Sequence, residues 1–280
     1  MKLNLLFFFV IVLALLATSC APSKMFVRTS DSYQTRISKS ERVGIIDDVC
    51  LQLDPLFKKD YVLLDDSKVA SILMVEEAKK SLETKGYTVN FVASPFVGSF
   101  LASDELFRVA DEKGGEIRNI NPPFYFEDSL ANNEVYVNAL LDVFREVYFT
   151  MAGNNEPTFS TDSILRNGLQ VIADRTGNDK ILFMIGNGSI VPVGKSILEG
   201  VTIGLATAFI TFGMFTYYFY DVSSLNSYIV LLDLHTGDLL WSNSMVLTGN
   251  NPARESFYSG YWSKNLLYYY PVKEGHVMEK

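Results

Sequence analysis

The sequence predicts an α/β fold: a small mixed sheet with helices packed on it, plus a helical insertion. Three stretches carry that expectation. "RVGIIDDVCLQL" followed by "LDDSKVASILMVEEAKKSLETKGYTVNFV" reads as strand, helix and strand, with Asp66 or Ser67 as the cap and Gly86 as the stop. "STDSILRNGLQVIADRTGNDKILFMIGNGSI" repeats helix then strand, with Thr161 or Asp162 as cap, Gly177 as stop and Ile181 to Ile185 fully apolar. "SLNSYIVLLDLHTGDLLWSNSMVLTG" reads as two strands around a turn at Thr236-Gly237, where glycine can adopt positive φ.

Taken in order, the chain opens on "MKLNLLFFFVIVLALLATSC". A positive charge at Lys2, an apolar core from Leu5 to Leu16 and small residues up to Cys20 give residues 1–19 the form of a secretory signal peptide. About a dozen apolar residues are too few for a permanent span. "LATSC" resembles the bacterial lipobox, in which small residues precede a cysteine that becomes lipidated; Ala17 stands where Leu is more usual. The expected mature protein begins at Cys20 and is held to a membrane by diacylglyceryl and acyl (palmitate-type) chains on that residue, each buried CH₂ contributing about 0.8 kcal/mol. Residues 20–41, polar and without a sustained period, read as the lipidated tether, and residues 42–280 as the α/β domain.

Export constrains function. The expected site of action is the cell envelope, facing the periplasm, where ATP is absent. Ala21-Pro22-Ser23 lacks the Asp that retains some lipoproteins at the inner membrane, so outer-membrane residence is expected. With Cys20 modified, Cys50 is left alone, so no intrachain disulfide is expected, and its strand-like setting marks it as an apolar filler. A formal charge of −8 argues against nucleic acid as a partner, and 20 Phe with 15 Tyr exceed what a core alone calls for.

Residues 94–160 interrupt the scaffold and read as an insertion with its own contacts. Aromatic loops "SPFVGSF" and "NPPFYFEDS" flank a weak helical stretch around Asp104 to Glu112. In "NEVYVNALLDVFREVYFTM", Val137, Leu140, Leu141, Phe144, Val147, Tyr148 and Met151 share one helical face, suited to packing on the core or to binding a partner. The last segment, "ESFYSGYWSKNLLYYYPVK", contains a helix stopped before Pro271.

No catalytic constellation emerges. "GNGSIVPVGKS" imitates a phosphate-binding loop ending in Gly194-Lys195-Ser196, and Asp233 imitates a magnesium ligand, but the first required Gly is Ser189 and β-branched residues fill the loop. The two histidines, His235 and His276, lack partners at metal-ligand spacing and read as solvated surface residues; no metal or cofactor is expected. There is no Gly-x-Ser-x-Gly elbow. Asp47-Asp48, Asp65-Asp66 and Glu76-Glu77 are neighbours that cannot face one reacting group, and they read as solvated faces or helix-start charges. The chain is therefore expected not to be an enzyme.

Gly86-Tyr87-Thr88-Val89 and the span from Asp233 through Thr236-Gly237 to Trp241 match two recurrent patterns: a Gly-aromatic-x-Val strand, and an Asp-x-x-Thr-Gly-x-x-x-Trp hairpin. In these the chain resembles envelope lipoproteins with the fold of the TolB N-terminal domain, a group that includes the curli secretion lipoprotein and the lipoprotein activators of penicillin-binding proteins. Asn178-Asp179 departs from the Ala-Asp usual there, and the insertion at 94–160 is foreign to the short members. The resemblance implies a small α/β sandwich that binds other envelope proteins or self-associates, and no catalysis.

Residues 200–220, "GVTIGLATAFITFGMFTYYFY", carry no charge, and as a helix would match a hydrocarbon core of roughly 30 Å. Three Gly and four Thr dilute their hydrophobicity, and a single crossing would strand two segments of one sheet on opposite sides of a bilayer. The run is expected to be a helical crossover or hairpin-like insert, spanning 196–220, that lies against the domain, a membrane or a partner. Gly200, Gly204 and Ala208 offer a close-approach stripe, and Phe212, Phe215, Tyr217 and Tyr218 an aromatic contact surface. The functional expectation is a lipid-anchored, non-enzymatic interaction protein supporting envelope assembly, maintenance or secretion. The alternative is a membrane-inserting oligomer or secretion-channel component that uses residues 200–220.

Overall fold

A computed structural model describes residues 25–39, 42–53, 61–93, 95–102, 104–111, 115–126, 133–152, 163–191, 223–249 and 251–277. Its strands are β1 (Met25–Thr29), β2 (Arg42–Leu53), β3 (Tyr61–Leu63), β4 (Thr88–Val92), β5 (Phe107–Ala110), β6 (Ile117–Ile120), β7 (Lys180–Ile190), β8 (Ser223–Asp233) and β9 (Leu239–Gly249). The helices are α1 (Tyr33–Ser38), α2 (Leu64–Thr84), α3 (Glu134–Ala152), α4 (Ser163–Thr176), α5 (Glu255–Tyr258) and α6 (Tyr261–Asn265). The predicted α/β class is the one observed. The strands form one mixed sheet ordered β1-β9-β8-β7-β2-β3-β5-β6, and β4 pairs with β2 at the end opposite β3.

β2 lies at the centre because both of its faces are apolar. Alternate residues Val43, Ile45, Val49, Leu51 and Leu53 join one core with α2, α5 and α6, around Trp241 and Trp262. Ile46 and Cys50 point the other way, into a second core with α3 and α4 around Phe96, Phe144 and Phe183. The parallel neighbours are β4 and β7, so β2–α2–β4 is the expected β-α-β unit.

Helix α2 follows directly on β3 and starts at Leu64, earlier than the expected cap at Asp66 or Ser67. Ser67 is an interior cross-link instead: its hydroxyl donates to the Leu63 carbonyl at 2.5 Å and accepts from the Leu51 amide at 2.9 Å. Asp65 and Asp66 then fall in the first turn, where the helix dipole favours negative charge. Ala70, Met74, Ala78 and Leu82 make the buried stripe. Gly86, at φ 89°, ends it as expected, with Tyr87 N–H donating to the Leu82 carbonyl and Gly86 N–H to the Glu83 carbonyl.

Two expectations need correction. Residues 25–38, read as tether, belong to the fold: β1 pairs antiparallel with β9, and α1 buries Ile37 completely. The stretch around Asp104 to Glu112 holds a strand, β5, whose alternation of Phe107 and Val109 with Arg108 fits the pleat between β3 and β6. "GNGSI", already rejected as a phosphate loop on its sequence, extends the expected Ile181-to-Ile185 strand as the end of β7. Gly188 there meets β8 so closely that a Cβ would lie 2.2 Å from the Ser224 carbonyl oxygen. Gly194-Lys195-Ser196 lie outside the described residues.

The insertion shares the domain's framework. It adds β5 and β6 to the sheet and covers a face with α3, whose Tyr136, Ala139, Leu140, Val143, Phe144 and Val147 are buried. Of the two roles considered for that helix, core packing is the one seen. Its aromatic loops pair with each other, Val97 N–H donating to the Tyr125 carbonyl and Phe124 N–H to that of Val97.

Candidate functional site

Strand directions distinguish the two ends of the sheet. β1 runs antiparallel to β9, with Met25 opposite Met245, so the chain before Met25 points towards the Gly249 end of β9. Ser223 pairs with Gly249, Ser189 with Ser224, and Leu53 with Tyr61. Residues 54–60 and 192–222 therefore leave and re-enter the fold at this same end.

The predicted site residues Cys20, Gly200, Gly204, Ala208, Phe212, Phe215, Tyr217 and Tyr218 lie outside the described residues, but the stems that carry them do not. Cys20 precedes Met25 by five positions, a reach of at most about 18 Å fully extended. The stems of the 192–222 segment are fastened together: Val191 N–H donates to Ser223 Oγ at 3.1 Å, and the hydroxyls of Ser189 and Ser224 are 3.2 Å apart. Because β7 and β8 are adjacent and antiparallel, this segment joins them as a hairpin connection; the crossover form of the expectation is excluded. Among the described residues, no helix is long and apolar enough to cross a membrane.

The other end of the sheet is polar and tightly bonded. Asp233 Oδ1 accepts from the amides of His235 and Thr236, and Gly237 takes φ 75°, which is why Asp, Thr and Gly recur in this turn. Arg36 donates to Asp233 at 2.8 Å and to Asp238 at 2.7 Å, pinning α1 to the hairpin. Burial alone would raise the Asp233 carboxyl, but the Thr236 amide, Arg36 and Lys180 outweigh it and hold it below the usual range. The Arg36 hydrogen bond does the same for Asp238. A cleft of about 380 Å³ beside this cluster is lined by Arg36, Lys39, Arg42 and Lys180 with Asp179. His235, exposed as expected, lies 2.9 Å from Asp179, and His276 Nε2 lies 3.1 Å from the Thr84 carbonyl.

Sequence reading missed the interior carboxyls. Asp47 and Asp48 project to opposite faces as expected, yet both are fully buried and neither is a solvated charge. Asp48 accepts from the amides of Gly98 (2.8 Å) and Ser99 (2.5 Å) and from the Ser99 hydroxyl, anchoring the first aromatic loop of the insertion. Desolvation pushes its pKa up to about 6 against these three donors. Asp47 Oδ2 accepts from the Ser71 hydroxyl at 2.7 Å, its Oδ1 has no hydrogen-bond partner among the described residues, and desolvation raises it well above the ordinary value. The signal for Asp48 was Gly98-Ser99, a pair of consecutive amides on a residue needing positive φ (80°), fifty positions away. Cys50 is buried, and desolvation drives its thiol pKa far up, leaving an inert filler. Among the described residues, no cluster of His, Cys, Asp or Glu could hold a metal ion.

No family model and no curated protein sequence matches the chain. Among solved structures it is similar to a PelC dodecamer from Paraburkholderia phytofirmans, at 8% identity and TM-score 0.33, covering 86% of this chain and 87% of that one. A single-residue variant of that dodecamer gives 9% identity and TM-score 0.30, covering 84% and 87%.

Proposed function

We propose that this chain is a lipid-anchored, non-enzymatic interaction protein of the bacterial cell envelope, carried on acyl chains at Cys20, facing the periplasm from the outer membrane. It supports envelope assembly, maintenance or secretion through contacts with other envelope proteins. The observation that carries this reading is the shared exit. The five positions between Cys20 and Met25 keep that end of the sheet near the lipid, and the uncharged 200–220 run departs from the same end. A domain so tethered presents its apolar insert at the bilayer surface and its bonded polar end to the periplasm. Buried Asp47 and Asp48 supply structure here and no accessible acid–base pair, consistent with a binding role.

A second reading, a membrane-inserting oligomer, keeps one specific support: a hairpin connection enters and leaves a bilayer from one side, which a crossover does not. Cys20→Ala separates the two. Under the leading reading, washed membranes lose the variant completely while the parent stays bound and sediments at outer-membrane density. Retention of Cys20→Ala through an alkaline wash would favour insertion by residues 200–220 and overturn the lipid-only anchor.

A further inference from the structure

We propose that the pocket between the C-terminal turn of α2 and the Leu267–Tyr269 segment binds a sugar ring bearing a carboxylate, as in an acidic glycan. The pocket has a volume of about 310 Å³, at the lower edge of small-molecule sites, which run roughly 300–1,000 Å³. It sits at the polar end of the sheet, away from the end at which Cys20 joins.

Its floor is aromatic. The rings of Tyr268 and Tyr269 lie 4.3 Å apart between centroids, and the two residues are 40% and 64% exposed. Both rings thus keep a substantial part of their surface open to solvent, Tyr269 most of all. The C–H face of a pyranose, slightly positive, complements the negative face of such rings. Tyr269 also holds φ at 58°, an outlier for a bulky side chain. Strain of that kind persists where surrounding structure imposes it, and it clusters at binding sites.

The imposing structure is visible. Fully buried Asn243 donates to the carbonyls of Asn265 (2.9 Å) and Leu266 (3.0 Å), and the Trp241 indole donates to that of Tyr268 (3.2 Å). Lys85 Nζ donates to the Tyr270 carbonyl at 3.0 Å. Interior groups thus fix the backbone that presents the two rings, which is the preorganisation a binding surface needs.

The walls supply the polar recognition. Lys80, Lys85 and Lys264 line the pocket with the hydroxyls of Ser81, Thr84 and Ser263, and among the described residues no acidic side chain lines it. Lys80 lies 3.7 Å from Glu77, whose side chain is largely covered, but its own side chain is 75% exposed and its ammonium keeps further donors for a ligand. In a chain of net charge −8, a cavity lined by three ammonium groups and no carboxylate selects anions. Hydroxyls beside two exposed aromatic rings, tilted 55° to each other, select the sugar to which the anion is attached.

The test is calorimetric titration of the detergent-solubilised full-length chain with oligogalacturonate, with malto-oligosaccharide and polyglutamate as neutral-sugar and non-sugar controls. Oligogalacturonate is expected to bind better than either. Tyr269→Gly, which adopts positive φ without strain and so keeps the fold, should weaken binding about tenfold or more, as removal of a central aromatic contact does. Lys264→Gln should give a smaller loss that shrinks at high salt. Absence of binding, equal binding of polyglutamate, or an unchanged affinity in a Tyr269→Gly variant with an intact thermal transition would each overturn the proposal.

Discussion

Asp48→Ala should lower the stability of the domain by about 3 kcal/mol, because it strands two buried amides and a hydroxyl that have no other acceptor among the described residues. Buried donors cannot turn to water once their acceptor is gone, so the desolvation cost of each falls on the folded state alone. For a chain of this size that corresponds to a fall in melting temperature of roughly 6–12 °C. The damage should start locally. Gly98 packs against Phe124, and the Val97–Tyr125 bridge ties the two aromatic loops, so hydrogen exchange should rise first at residues 96–100 and 124–125. Chemical denaturation with exchange mass spectrometry checks both parts; a loss below about 1 kcal/mol would mean that Asp48 is not the anchor of the loop.

The second large effect is an inverted pH dependence. Desolvation raises Asp48 from an ordinary 3.8 to about 6 and Asp47 well above its usual range. A carboxyl whose folded pKa is raised stabilises the fold fully below the unfolded value and loses that contribution as pH climbs through the folded one. Between pH 4 and 7, therefore, stability should fall with rising pH, by about 2 kcal/mol from Asp48 alone at 1.36 kcal/mol per pKa unit, most of it before pH 6. Asp47 adds to the fall in the same direction. Asp233 and Asp238 have the opposite sign, but their lowered values place their effect below pH 3.8, outside this window. Denaturation midpoints should thus be higher at pH 4.5 than at pH 7.5. Asp48→Asn should remove part of the slope and Asp47→Asn the rest. A midpoint that rises from pH 4.5 to 7.5 would contradict the burial of both groups.

What the sequence disclosed follows the range of the forces concerned. The β-α-β unit, Gly86 and Gly177 as stops, and the Asp233-to-Trp241 hairpin were legible because periodicity and turn chemistry act within a few residues. β1 was not, since five residues of an edge strand carry no period of their own and exist through their ladder with β9, more than two hundred positions away. β5 was misread for the same reason, its four residues being defined by partners on both sides. Asp47 and Asp48 looked like surface charge because burial is a property of the layers stacked on β2. Tyr268 and Tyr269 were read only as part of a segment containing a helix stopped before Pro271; the fold shows that Trp241 and Asn243 brace their backbone. The lipidation and contact residues remain readings of sequence, to which the structure adds the position of their stems.

The proposed orientation is tested most directly by distance to the bilayer. A fluorophore placed through Thr248→Cys or through His235→Cys on the lipidated chain would report the two ends of the sheet, separated by roughly 30 Å of strand. Cys50 does not compete for label because it is buried. In vesicles carrying an acceptor dye at their surface, energy transfer should be strong from position 248 and weak from position 235. Equal transfer from both, or stronger transfer from 235, would contradict a domain that stands on the end bearing Cys20 and the apolar segment.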